Sequence, residues 1–111
     1  MRVIITPWDI PPPIPAAIVG GIVAQPGGQA NATQITGRVN IVTSCASGGA
    51  VILGMLQPPR QQVFADAGAP VPVYPTLGTQ IKGYAVNVPV TIADGDEVTF
   101  TFDGVTTWLI S

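Results

Sequence analysis

Histidine is absent from the chain, cysteine occurs once, and only four residues are basic. Without histidine there is no Ser-His-Asp or Cys-His arrangement and no imidazole ligand for zinc, and Cys45 alone closes no internal disulfide. Cys45 is expected as a small hydrophobe. Arg2, Arg38, Arg60 and Lys82 stand far apart in sequence, so no basic run marks a phosphate-backbone partner, and nucleic acid is not expected. Charged residues make up 9% of the chain and hydrophobic ones 47%, a balance that argues against a disordered polar chain.

Long apolar runs are also missing. A spanning helix needs about 20 consecutive apolar residues. The best stretch, residues 14 to 24, is interrupted by Pro15, Gly20 and Gly21, so a membrane is not an expected partner. The opening "MRVIITPWDI" is broken by Pro7 and Asp9 with no small-residue cleavage site close behind, which does not support a secretory signal and leads to an expectation of cytoplasmic synthesis. The chain contains no G-x-S-x-G elbow, no phosphate-binding G-x-x-x-x-G-K-[ST] loop and no G-x-G-x-x-G fingerprint. No catalytic residue, metal ligand or cofactor is assigned, and an enzyme is not expected. The one acidic cluster, Asp94, Asp96 and Glu97 in "DGDE", reads as solvated charges on a glycine-centred turn. Calcium there is the alternative, although the later oxygen ligands of an EF-hand loop are lacking. Asn31-Ala32-Thr33 matches a glycosylation acceptor and is read as a chance match in a chain without a secretory signal.

What the sequence does have is glycine (13) and proline (12), together with short alternating apolar segments. That combination disfavours long helices and suits strands joined by tight turns. In "RVNIVTS", Val39, Ile41 and Thr43 fall on one face and Asn40, Val42 and Ser44 on the other. Val63 and Ala65 oppose Phe64, and a strand follows Gly68 through Val71, Val73 and Tyr74. Pro70 and Pro72 flank that strand and predict an edge or a bulge. Val98, Phe100 and Phe102 face away from Thr99, Thr101 and Asp103, and Asp103-Gly104 predicts a two-residue hairpin returning through Ile110. The fold class is therefore all-β, a small antiparallel β-barrel or β-sandwich over residues 36–111.

Residues 1–35 differ in kind. They hold Pro7, Pro11, Pro12, Pro13, Pro15 and Pro26 and the run "QPGGQANATQ", and they read as an extended, Pro/Gly-rich arm outside the sheet. Ordering a residue costs roughly 1–2 kcal/mol and apolar burial returns about 25 cal/mol per Å², so each ordered arm residue needs on the order of 60 Å² of apolar contact. A small barrel has little surface to spare for this, so cover from another subunit or protein is expected. Trp8, Ile10, Ile14 and Ile18 are the expected interface anchors. The alternatives are an arm folded back on its own barrel, with Val3 to Thr6 as an added edge strand, and disorder. Trp8, Trp108, Tyr74 and Tyr84 are expected as core or interface anchors rather than as a sugar-stacking platform.

The segment from Val39 to Ile110 resembles a small β domain of tailed-bacteriophage virion proteins. The resemblance is carried by Gly68-Ala69, Val73-Tyr74-Pro75, Gly78, Ile81, Gly83, Gly95, Phe100 and Trp108. It implies a structural protein of the virion. In the absence of repeats or a second domain, that means a capsid decoration (cement) protein at the capsid surface, a homotrimer bound to the major capsid protein or another virion protein. The alternative it implies is a receptor-binding or fibre-tip module that recognises host glycans through exposed aromatics.

Overall fold

A computed structural model describes residues 18–54 and 60–111. These form ten strands and one 3-10 turn (Gln29–Asn31), with no α-helix among the described residues. The strands are β1 (Ile18–Pro26), β2 (Thr33–Gln34), β3 (Val39–Cys45), β4 (Gly49–Ile52), β5 (Arg60–Ala65), β6 (Val71–Tyr74), β7 (Gln80–Ile81), β8 (Val90–Ile92), β9 (Glu97–Phe102) and β10 (Thr107–Ile110). They make one continuous, nearly closed, barrel-like sheet in the order β7-β10-β9-β5-β3-β1-β4-β6-β8, with β2 beside β4. The chain is all-β.

The sheet is mixed rather than antiparallel. β1, β3 and β5 pair in parallel on one wall, and β2, β4 and β6 pair in parallel on the other. From β1 to β6 the chain crosses between the walls five times in succession, like a flattened coil, and each pass re-enters its wall in the same direction. Parallel neighbours follow from that path. The chain then reverses: β8 lies antiparallel to β6 and β9 antiparallel to β5, after which β10 pairs antiparallel with β9 and parallel with β7.

The expected arm is corrected over its described part. Residues 18–26 lie inside the sheet as β1, the strand that joins the two walls. Ile18 to Ala24 pair with β3, while Gln25 and Pro26 pair with Ala50 and Gly49 of β4. The proline argument fails here because the only proline of the strand is its last residue, where a missing donor costs least. The register slips between Val19 and Ile22, where Gly21 takes a φ of 67° that a side chain would resist. Where β1 crosses over, the walls come so close that a Cβ on Gly49 would stand 2.6 Å from the Ala24 carbonyl oxygen. β6 is likewise not an edge. It lies between β4 and β8, and it accommodates Pro72 because its ladder to β4 begins one residue later, at Val73.

Between the walls sit Ile22, Val42, Val51, Val63, Val73, Phe100 and Trp108, all buried. Val98, Phe100 and Phe102 share a face as the alternation predicts, with Phe100 and Phe102 buried and Val98 packed against the core at its edge. The indole of Trp108 packs on Phe102 with ring centroids 5.0 Å apart, and its Nε1–H donates to the hydroxyls of Thr79 (3.2 Å) and Thr76 (3.4 Å).

Two polar residues are fully buried among the described residues, Asn40 and Gln61. The Asn40 amide donates to the carbonyls of Gly37 (2.7 Å) and Gln62 (3.1 Å) and accepts from the Gly37 N–H (2.8 Å). Gln61 accepts from the Gly54 N–H (2.7 Å) and donates to the carbonyls of Ile35 (3.1 Å) and Gly37 (3.3 Å). Every hydrogen-bonding position of the two amides' N–H groups is used, and the pair ties the loops at 35–37 and 53–54 to β3 and β5.

The last hairpin is longer than the two-residue turn expected from Asp103-Gly104. β9 ends at Phe102 and β10 starts at Thr107, with only Gly104 at positive φ (88°). Asp103 organises the loop instead, its Oδ1 accepting from the N–H groups of Val105 (2.7 Å), Thr106 (3.1 Å) and Thr107 (3.2 Å). The Val105 and Thr107 bonds hold its carboxyl below the ordinary value of 3.8. A carboxylate whose pKa is depressed in the fold contributes stability that is present above 3.8 and lost as pH falls through the lowered value. Asp103→Ala is accordingly expected to lower the melting temperature at pH 7 and to flatten the acid limb of the stability curve below pH 4, read by circular dichroism against pH.

Candidate functional site

The surface carries more large apolar side chains than its few charges would suggest. Ile18, Val23, Leu77, Tyr84, Val86, Val88, Val105, Leu109 and Ile110 are exposed, with Leu77 at 77% and Val105 at 75%. Four of them sit on two adjacent loops, Leu77 on the turn at 76–79 and Tyr84, Val86 and Val88 on the segment between β7 and β8. Asn87 binds these loops together. It is the one non-glycine residue at positive φ (64°) among the described residues, a conformation asparagine tolerates. Its Oδ1 accepts from the Gly78 N–H (2.7 Å) and from Gln29 Nε2 (3.1 Å), and its own N–H donates to the Thr79 carbonyl (2.9 Å). Gln80 and Val86 add an isolated bridge. The apolar side chains are thus displayed on a fixed loop platform.

On the outer face of β6 and β8 lies a groove of about 510 Å³ whose wall includes Pro70, Pro72, Tyr74 and Pro89. Cys45 is at its rim, half-buried, with Sγ directed at the carbonyls of Gly49 (3.5 Å) and Pro70 (3.6 Å). Burial pushes its thiol up from 9.0, which leaves it protonated and weakly nucleophilic at neutral pH.

Of the expected interface anchors, Trp8, Ile10 and Ile14 lie outside the described residues. Ile18 is 65% exposed at the head of β1, opposite Val39. Trp108 is fully buried, so it belongs to the core and has no face open for a sugar. Tyr84 is exposed and Tyr74 half-buried at the groove.

The acidic cluster occupies the turn between β8 and β9. The Gly95 N–H donates to the Ala65 carbonyl (2.7 Å), and Asp94 Oδ1 accepts from the Gly68 N–H (3.0 Å), so one carboxylate of the cluster anchors the neighbouring turn. Among the described residues no group of acids, cysteine or histidine is arranged to hold a metal ion.

The scattered basic residues of the sequence are partly gathered. Arg38 and Arg60 line a second groove, of about 310 Å³, with Val39, Gln62 and Thr99. No family model, curated protein or solved structure matches the chain.

Proposed function

We propose that the chain is a structural protein of a bacteriophage virion, a capsid decoration protein that stabilises its shell through apolar contacts with neighbouring subunits. The observation that carries this reading is the apolar loop platform of Leu77, Tyr84, Val86 and Val88, held rigid by Asn87 on a domain with few surface charges. Contiguous exposed apolar surface marks contact with another macromolecule, and a partner that binds only the assembled shell stabilises that shell by mass action. The segment ahead of Ile18, with Trp8, Ile10 and Ile14, supplies further anchors. Glycan recognition is the less favoured reading, because burial of Trp108 leaves Tyr84 as the exposed aromatic of the described surface.

The test leaves β1 in place, since deleting residues 1–30 would remove Ile22 and Ala24 from the core. Full-length protein is sedimented with capsids of the phage that encodes it. Leu77→Asp/Val86→Asp and Trp8→Ala/Ile14→Ala are each expected to weaken shell binding by tenfold or more, roughly the loss of one or two buried apolar side chains. Undiminished binding by both variants, or glycan-dependent binding lost with Tyr84→Ala, would overturn the reading.

A further inference from the structure

Strand direction sorts the charges of this chain. β3 and β5 are parallel, so Arg38, just ahead of β3, and Arg60, first in β5, come to the same end of the molecule and share the 310 Å³ groove. Gln62 and Thr99 face each other across β5 and β9 in that groove and add an amide and a hydroxyl. At the far end of the same strands, β5 runs out into Asp66, and β9, antiparallel to it, begins at Glu97 behind Asp94 and Asp96. Four of the six acids in the chain therefore lie toward the opposite end of β5 from Arg60, Glu97 at the register of Phe64, about 13 Å along the strand, and Asp66 about 20 Å along it at about 3.3 Å per residue. Asp103 is at the basic end, but its Oδ1 is engaged by three backbone N–H groups.

We infer that the groove of Arg38 and Arg60 receives the acidic turn of a second copy of this chain, Asp94 to Glu97. The groove offers two guanidinium forks with neutral donors beside them, the arrangement that matches carboxylates. The turn offers exposed carboxylates on either side of Gly95, whose φ of 87° makes the bend tight; Asp94 keeps one oxygen on the Gly68 N–H. Each copy carries both halves of the contact at opposite ends, so the association is head-to-tail: it closes into a ring or continues as an open series according to the angle between copies. Exposed ion pairs are individually weak and are screened by salt, so the contact is weak and salt-sensitive. This inference does not rest on the virion reading, and its test involves no shell.

The experiment is sedimentation velocity of the full chain at low and high salt. Wild-type protein is expected to associate at low salt and to lose about tenfold in association constant when the screening length drops well below 10 Å. Arg38→Glu/Arg60→Glu and Asp94→Lys/Asp96→Lys are each expected to be monomeric, and an equimolar mixture of the two to associate again. Circular dichroism checks that both remain folded. The inference is overturned by self-association indifferent to both reversals, by no recovery on mixing, or by inorganic phosphate bound at the arginines with no change in mass. Loss of association on Asp9→Asn with none on Asp94→Lys/Asp96→Lys would assign the groove to the leading segment and equally overturn it.

Discussion

Gln61→Ala is expected to destabilise the fold by about 4 kcal/mol and to lower its melting temperature by roughly 15 °C. The substitution strips the Gly54 N–H and the Ile35 carbonyl of their side-chain partner inside the core, and each orphaned buried group costs about 1–3 kcal/mol. The Gly37 carbonyl is spared because Asn40 also donates to it. Against a total stability of about 5–15 kcal/mol, this is a large fraction. Gln61→Glu is a sharper version, since it places a carboxylate oxygen toward two carbonyls. Its folded-state pKa should rise above the unfolded value, so that variant should gain stability as pH falls, the reverse of the Asp103 effect. The neighbouring Gln62→Ala, whose side chain faces the arginine groove, should stay within about 0.5 kcal/mol of wild type. Urea unfolding of the three variants decides the matter. A loss below about 1 kcal/mol for Gln61→Ala would show that the amide does not hold the two loops.

Trp108→Ala should cost about 3–5 kcal/mol, enough to leave a protein of ordinary stability close to unfolding. Trp108 is the largest fully buried side chain among the described residues, and truncation removes its packing on Phe102 and its bonds to the hydroxyls of Thr76 and Thr79, which keep their bond to each other (2.9 Å). Trp108→Phe keeps most of the apolar volume and loses the indole N–H bonds, so about 1–2 kcal/mol is expected for it. Thermal unfolding followed by circular dichroism separates the two. Equal losses would mean that the hydrogen bonds, not the ring volume, set the cost.

The all-β class was legible because alternation in Val63 to Ala65 and Val98 to Phe102 encodes which face is buried. Strand direction was not, since the period-two pattern of a half-buried strand is the same whichever way its neighbour runs. The arginine groove was hidden for the same reason. Arg38 and Arg60 are distant in sequence, and only the parallel pairing of β3 with β5 brings them together. Nor was the burial of Asn40 and Gln61 legible, because polar residues in an alternating strand normally face solvent. Their burial depends on carbonyls from loops that no local pattern announces. The sheet role of residues 18–26 was obscured by the prolines ahead of them and by Gly20-Gly21, which mark a bulge in a strand rather than the end of one.

The coil-like path also bears on how the molecule finds its shape. Of all the ladders among the described residues, only β9 with β10 joins strands that are successive in the chain. Every other pairing must close a loop before it yields a hydrogen bond, and topologies dominated by such distant pairings fold in milliseconds to seconds rather than microseconds. The segment from Glu97 to Ile110, where Trp108 packs on Phe102, is expected to form first and the first strand to be seated last, against β3 and β4, which φ-values high at Phe102 and low at Ile22 would show.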